Sequence, residues 1–119
     1  MYNKNESVKQ EIIYTDDTRL SGVIKSYQNK KLLEEDFFEN YTLKLQKFYY
    51  ENGKLEAEIP FKNDKVNGEV KIYYENGKIK EITPVKDGKK EGIGREYNET
   101  GKIIKEVLYK DDEEVKKIK

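Results

Sequence analysis

The stretch Tyr73–Ile79 reads Tyr-Tyr-Glu-Asn-Gly-Lys-Ile, and the chain contains it more than once. The same positions read Tyr-Tyr-Glu-Asn-Gly-Lys-Leu at Tyr49–Leu55, and a looser copy, Tyr-Asn-Glu-Thr-Gly-Lys-Ile, occupies Tyr97–Ile103. The glycine of each copy follows the glycine of the copy before it by 24 residues. Self-similarity at a fixed period is typical of repeat architectures, in which each unit packs mainly on its neighbours. The chain is therefore expected to be a string of similar units.

The residues around the repeated stretch indicate what each unit is. Alternating apolar and polar residues lead into it and out of it, as in half-buried β-strands. The Asn-Gly pairs at 52–53 and 76–77 are expected to supply the positive φ of tight type I′ hairpin turns. Pro60 and Pro84 lie at equivalent places late in the returning strand, where a missing N–H should interrupt the hydrogen-bond ladder. Each unit is predicted to be a β-hairpin.

The repeat frame divides the chain into segments of different regularity. They are a polar, frayed N-terminus at 1–9 and one repeat domain at 10–119, with degenerate repeats at 10–40, regular repeats at 41–112 and an incomplete last repeat at 113–119. Within the degenerate part, Leu32–Phe38 has the propensity of a short helix, but the repeat frame predicts a strand there. Gln28-Asn29-Lys30 occupies a turn position and is expected to make a poorer hairpin turn.

The predicted fold is all-β, an elongated antiparallel meander of stacked β-hairpins. Short connections forbid a crossover, so successive strands must be antiparallel neighbours. A single hairpin is marginal in water, and stability must therefore come from hairpins packing on one another. About nine strands at about 4.8 Å each would give a sheet roughly 40 Å long.

Aligning the three best copies gives columns of similar residues. On the first strand of each hairpin, the basic column holds Lys47, Lys71 and Arg95, and the tyrosine column holds Tyr49, Tyr73 and Tyr97. The two columns should share one face, because they lie two residues apart, while Phe48, Ile72 and Glu96 lie on the other. On the returning strand, one half-buried face is expected to hold Leu55, Ile59 and Phe61 and their equivalents.

The basic and tyrosine columns, with Tyr27 as a candidate fourth tyrosine, form the candidate binding site. Two interpretations stay open. The tyrosines either pack across strands, as aromatic pairs commonly do, or they line a groove that grips a peptide, a polysaccharide or an anionic head group. Basic and aromatic interleaving would also suit nucleic acid. However, the 24 basic and 24 acidic residues of the chain cancel, which argues against that partner.

The composition limits the classes of function. Charged residues make up 40% of the chain, which by itself favours disorder, but the 10 tyrosines and 4 phenylalanines recur in register and argue for a fold. With no histidine and no cysteine, the usual parts of nucleophilic catalysis are missing. The acidic runs at 34–36 and 111–114 are interpreted as solvated surface, because adjacent strand residues point to opposite faces. The sequence predicts a protein that is not an enzyme and holds no cofactor or metal ion.

With these columns in place, the chain resembles the MORN repeat, in the variant form abundant in bacterial proteins. The resemblance rests on Tyr49–Leu55, Tyr73–Ile79, Asn67–Tyr73 and Glu91–Tyr97, and it covers about residues 41–112. It implies hairpins packed into an elongated, often gutter-shaped sheet that serves as a binding or scaffolding surface. Many bacterial members look like antitoxin components of toxin–antitoxin systems, and others are implicated in contacts with membranes or partner proteins.

The favoured function is a non-catalytic protein-interaction or scaffolding module, antitoxin-like in its most specific form, with an unidentified protein partner. The alternatives are a module that binds anionic lipid at a membrane surface and a surface or exported interaction protein. The chain is expected to be a monomer or a weak edge-paired dimer, because Lys116, Lys117 and Lys119 discourage edge pairing. The expected compartment is the cytoplasm, or the cell exterior if a leader precedes the numbered chain. A fragment of a longer repeat array also stays open.

Overall fold

The computed structural model describes residues 8–119, which form one antiparallel sheet and contain no helix. Its strands are β1 (Val8–Tyr14), β2 (Gly22–Gln28), β3 (Lys31–Glu39), β4 (Thr42–Tyr49), β5 (Leu55–Lys62), β6 (Lys65–Val66), β7 (Gly68–Tyr73), β8 (Ile79–Lys86), β9 (Lys89–Lys90), β10 (Gly92–Tyr97), β11 (Ile103–Lys110) and β12 (Glu113–Lys117). The order across the sheet is β1-β2-β3-β4-β5-β7-β8-β10-β11-β12. The short strands β6 and β9 pair with β5 and β8. The predicted all-β antiparallel meander is confirmed, with 12 strands where about nine were expected.

The repeat frame predicted the irregular part of the chain better than helix propensity did. Lys31–Glu39 is a strand, and it pairs on one side with β2 and on the other with β4. The first strand begins at Val8, two residues before the expected start of the repeat domain. The rest of the expected frayed N-terminus, residues 1–7, lies outside the described residues.

The prediction of type I′ turns at the Asn-Gly pairs is wrong. Tyr50 N donates to Lys54 O at 2.8 Å and Gly53 N donates to Tyr50 O at 2.9 Å, so the loop holds three residues. A type I′ turn needs positive φ at both central residues, but here only Gly53 has it, at 87°. This is the three-residue hairpin loop that closes on a left-handed glycine. The Asn52 side chain stabilises it, because its Oδ1 accepts from Lys54 N at 2.9 Å.

Two-residue loops of the type I′ kind occur at five other connections. Four lie at the end of the sheet away from the Asn-Gly turns, and one, Asn29–Lys30, lies at the same end as those turns. Both of their central residues have positive φ, and the five pairs are Asn29–Lys30, Asn40–Tyr41, Asn63–Asp64, Asp87–Gly88 and Asp111–Asp112. Asn and Asp tolerate this backbone better than other non-glycine residues do. The connection at Gln28-Asn29-Lys30 closes tightly, with Gln28 paired to Lys31, although Lys30 adopts a φ of 66°.

Pro60 and Pro84 interrupt the ladder as predicted. β5 pairs with β6 through Phe61 and Lys62 and with β7 through Ala57 and Glu58, which leaves Pro60 in the gap. Gly68 lies against Pro60 and has a φ of 120°. A Cβ atom at Gly68 would lie 2.9 Å from Pro60 Cγ. The interruption splits one strand into β6 and β7, and the same event at Pro84 separates β9 from β10. These two splits account for part of the higher strand count.

The expected half-buried face of the returning strand is wrong, because each regular hairpin carries a β-bulge. Tyr49 pairs with Leu55 and Phe48 pairs with Ala57, so one extra residue separates the two pairs. A one-residue shift moves side chains to the other face of a sheet. Leu55 therefore lies on the face of Tyr49, whereas Ile59, paired with Gln46, lies on the opposite face. The same shift pairs Ile79 with Tyr73 and Ile103 with Tyr97, so each isoleucine lies on the same face as its tyrosine.

The sheet is a single layer that twists strongly. The molecule measures 46 × 32 × 27 Å along its principal axes. A flat single layer would be only about 10 Å thick, so the third extent of 27 Å reflects the twist of the sheet. Val107, 2% exposed, is the one buried hydrophobic side chain in the described part of the chain. The remaining apolar residues are half-buried or exposed on the two faces. We call the face that carries Lys47 and Tyr49 the ladder face, and the face that carries Phe48 and Ile59 the opposite face.

Candidate functional site

A row of charged residues crosses the ladder face from strand to strand. Directly paired residues follow one another across nine strands in the order Glu11, Lys25, Glu35, Lys47, Glu58, Lys71, Ile82, Arg95 and Glu106. Acid and base alternate along this row, which we call the charge ladder, except at Ile82. Opposite charges directly across an antiparallel pair contribute about 0.2–1 kcal/mol each. All three members of the predicted basic column are members of the charge ladder.

The cations of the charge ladder differ in how they are paired. Arg95 Nε lies 2.8 Å from Glu106 Oε2, and Lys25 Nζ lies 3.6 Å from Glu35 Oε2. Lys47 Nζ lies 5.5 Å from the centre of the Phe37 ring. Lys71 has no ion pair within the described residues. Within the basic column, Lys71 is thus the least engaged cation.

The tyrosine column lies beside the charge ladder and is bonded to it. The hydroxyl of Tyr27 donates to Glu11 at 3.4 Å, that of Tyr49 donates to Glu35, and that of Tyr73 donates to Glu58 at 2.5 Å. Each tyrosine therefore reaches the acid of the strand before its own. These bonds support the packing interpretation for the first three tyrosines.

Tyr97 is the exception in this column. The residue at the ladder position of the preceding strand is Ile82, which cannot accept a hydrogen bond. The Tyr97 hydroxyl accordingly has no hydrogen-bond partner among residues 8–119. Lys71 and Arg95 are paired with Ile82 on its two sides. Lys71 and Arg95 thus flank one apolar residue on the ladder face, and Tyr97 lies on the same face two residues from Arg95.

The environment of Tyr49 and Tyr73 keeps their hydroxyls protonated. Burial, followed by the hydrogen bond to Glu58, raises the pKa of Tyr73 to about 12. Burial and the Glu35 carboxylate raise the pKa of Tyr49 further above its ordinary value. A phenol with a raised pKa is a hydrogen-bond donor at neutral pH and not a base. The column therefore has the chemistry of recognition and structural support.

The second tyrosine of the repeated stretch has a role that sequence reasoning missed. The hydroxyl of Tyr50 donates to Tyr73 O, and that of Tyr74 donates to Tyr97 O at 2.6 Å. Asn52 Nδ2 also donates to Glu75 O, at 3.4 Å. These bonds join the turn of one hairpin to the backbone of the next. The signal in the sequence was the recurrence of Tyr-Tyr at the repeat spacing.

The opposite face carries an acidic pair next to an amide. Gln46 Nε2 donates to Asp36 Oδ1 at 3.2 Å and to Glu34 Oε2 at 3.4 Å. A hydrogen bond with Asp36, together with burial and the nearby Asp36 charge, raises the pKa of Glu34 to about 7. Glu35, between them in sequence, lies on the ladder face. Across residues 8–119, no group of three or more acidic, histidine or cysteine side chains is placed to hold a metal ion.

The hollows in the sheet surface are shallow. One of about 370 Å³ is open and apolar, and it lies on the opposite face between Ile12, Ile24, Phe38 and Leu43. Another, between Thr83, Gly94 and Val107, measures about 30 Å³, roughly the space of one water molecule. In the part of the chain that the structure describes, no helix is long and apolar enough to cross a membrane.

An uncovered one-layer sheet of hairpins that repeat every 24 residues defines a β-hairpin repeat protein. The family model described as MORN repeat variant matches residues 44–63, 66–87 and 90–111, more than half of the chain. The chain belongs to this family. No curated protein and no solved structure matches it. MORN repeats are generally non-catalytic modules associated with membrane, lipid or protein interaction.

Proposed function

We propose that this protein is a non-catalytic interaction module that binds a protein partner through the ladder face. The observation that carries the proposal is the uncovered single layer. Within the described residues no second layer packs on the ladder face, yet the charge ladder and its bonded tyrosines hold the side chains of that face in defined positions. A surface that is both rigid and uncovered binds a partner at a low cost in conformational entropy.

The size of the ladder face is adequate for a specific interface. The molecule extends 46 × 32 Å along its two longest axes, so one face of the sheet can offer the roughly 800 Å² that one partner contributes to a standard interface. Exposed apolar side chains lie within and beside the charge ladder, among them Ile13 at 45% and Ile93 at 38% exposure. Apolar residues surrounded by polar ones are the usual composition of an interface. An antitoxin-like role is one specific form of this proposal, in which the partner is a toxin.

Site-specific photo-crosslinking tests which face binds. A photoreactive phenylalanine at Lys47 probes the ladder face, and the same group at Gln46, the adjacent residue, probes the opposite face. A partner protein is expected to crosslink to the probe at position 47 and not to the probe at position 46. This crosslink should disappear when an excess of unlabelled wild-type protein is added. Equal crosslinking from both positions, or crosslinking that resists competition, would refute the proposal.

Binding to anionic lipid is the alternative function, and the exposed end of the sheet favours it. β12 presents Lys116 and Lys117, and Val115 next to them is 58% exposed. Basic and apolar residues together suit an anionic membrane surface. The alternative predicts sedimentation with phosphatidylserine vesicles that falls steeply as salt is raised and is lost when both lysines are changed to glutamine.

A further inference from the structure

The charge ladder lacks one acid. The returning strands β5, β8 and β11 carry Glu58, Ile82 and Glu106 at the same ladder position, spaced 24 residues apart. The earlier strands β1 and β3 carry Glu11 and Glu35 there. Ile82 is therefore the one apolar residue in a row that otherwise alternates in charge. On β8, the ladder position between Lys71 and Arg95 therefore holds no carboxylate.

The occupied positions show how this face holds a carboxylate. Glu35 accepts the hydroxyl of Tyr49, lies 3.6 Å from Lys25 Nζ and pairs in register with Lys47. Glu58 accepts the hydroxyl of Tyr73 and lies directly across from Lys47 and Lys71 on the two neighbouring strands, without an ion pair to either. One tyrosine hydroxyl and two flanking cations thus surround each of these acids. Charge-assisted hydrogen bonds of this kind are stronger than neutral ones.

The same three groups are present around Ile82. Lys71 and Arg95 flank it, and the Tyr97 hydroxyl takes the place of those of Tyr49 and Tyr73. Among residues 8–119, neither the Tyr97 hydroxyl nor the Lys71 ammonium group forms a hydrogen bond or an ion pair with another side chain, and Tyr97 interacts with Arg95 through its charge distribution alone. Arg95 binds Glu106 through Nε, which leaves its two terminal nitrogens available.

The geometry points to Ile82 as the place where a partner protein docks an acidic side chain. The carboxylate of a glutamate or aspartate lies over Ile82, accepts a hydrogen bond from Tyr97 and pairs with Lys71 and Arg95. Ile93, 38% exposed and two residues from Arg95 on the same face, provides an apolar contact for a neighbouring residue of the partner. The inference rests on the proposed function, because it assigns the chemistry of the partner on the ladder face.

The remaining acids of the neighbourhood limit the charge of the ligand. Glu58 and Glu106 are engaged by Tyr73 and Arg95, and Glu69 acts on Arg95 by its charge alone, since it forms no ion pair within residues 8–119. A singly charged carboxylate replaces the one missing charge of the ladder, whereas a doubly charged phosphate would exceed it. The geometry therefore favours an acidic peptide over a phosphate group.

The test is an NMR titration with a capped hexapeptide of alternating glutamate and isoleucine. Saturable shifts are expected at the Arg95 Nε–H signal and at the backbone amides of Lys71 and Tyr97. The matched peptide with glutamine in place of glutamate should leave these signals unmoved. Tyr97→Phe should weaken binding about tenfold, because it removes one hydrogen bond to a charged group.

Variants at Ile82 provide the matched control. Ile82→Glu fills the vacant position with a carboxylate of the chain itself and should abolish peptide binding while the spectrum stays folded. Ile82→Leu keeps the position apolar and empty of a polar group and should retain binding within about threefold, and Glu69→Gln should strengthen it by a similar factor. Equal binding by the Ile82→Glu and Ile82→Leu variants would overturn the inference.

Two further outcomes would also overturn it. The first is a response to the glutamine peptide as large as that to the glutamate peptide. The second is a response to inorganic phosphate without any response to the peptide. If the peptide fails while crosslinking from Lys47 still identifies a partner, this inference falls and the proposed function stands. If both fail, the ladder face is not an interaction surface.

Discussion

Replacing Gly68 by alanine tests the account of how the hairpins are joined. Gly68 has a φ of 120°, a backbone region that is nearly closed to other residues, and a Cβ atom there would lie 2.9 Å from Pro60 Cγ. Backbone strain costs about 1–3 kcal/mol, and overpacking adds a similar amount. We expect Gly68→Ala to lower the free energy of unfolding by about 3 kcal/mol in total.

Two other glycines serve as matched controls in the same urea denaturation assay. Gly53 has a φ of 87°, near the ordinary left-handed region, and nothing lies within 4 Å of its added Cβ. Gly53→Ala should therefore cost only about 1–2 kcal/mol. Gly92→Ala should cost an intermediate amount, because its Cβ would lie 3.1 Å from Pro84 Cγ. Adding Pro60→Ala to Gly68→Ala should recover the part of the loss that comes from the contact. A loss for Gly53→Ala as large as for Gly68→Ala would refute the reasoning.

Three further changes have expected outcomes that depend on side chains. Tyr73→Phe leaves the Glu58 carboxylate without its hydroxyl donor and should lower the free energy of unfolding by about 1–2 kcal/mol, measured in urea. Tyr41 is 75% exposed, so Tyr41→Phe should have almost no effect in the same assay. The folded-state pKa of Glu34 is raised from 4.5 to about 7, so the folded state binds the proton more tightly and stability should fall as pH rises through that interval. Glu34→Gln should flatten this dependence of the unfolding free energy on pH. An unchanged pH profile in the variant would contradict the prediction. Tyr50→Phe removes the bond to Tyr73 O and should speed hydrogen exchange in the turn at 74–78 more than in the turn at 98–102, whereas a uniform increase would show that the bond does not join neighbouring turns.

The repeat period carried most of the fold prediction. It identified the hairpins, the antiparallel order and the strand at Lys31–Glu39, because equivalent residues in a repeat must occupy equivalent places. It could not show the bulges, since one extra residue leaves the spacing between repeats unchanged while it reverses the faces. The Asn-Gly signal was also ambiguous, because a left-handed glycine suits both a type I′ turn and a three-residue loop.

The candidate site was predictable only in part. Comparing residues 24 apart found the basic and tyrosine columns, but the hydrogen bonds of the tyrosines join residues 14 to 16 positions apart, as in Tyr49–Glu35 and Tyr27–Glu11. Pairs at that separation depend on the register between strands, which the bulges alter. The missing acid was nevertheless visible in the sequence, as the column Glu58, Ile82 and Glu106.

Tyr49, Tyr73 and Tyr97 are expected to share one face, each lying over the ladder residue of the preceding strand. Nuclear Overhauser effects measured on the folded protein test this arrangement most directly. Contacts are expected from the ring protons of Tyr49 to the side chain of Glu35 and from those of Tyr73 to Glu58. The ring protons of Tyr97 should contact the methyl groups of Ile82. Contacts from these rings to Phe48, Ile59 or Thr83, which lie on the opposite face, would contradict it.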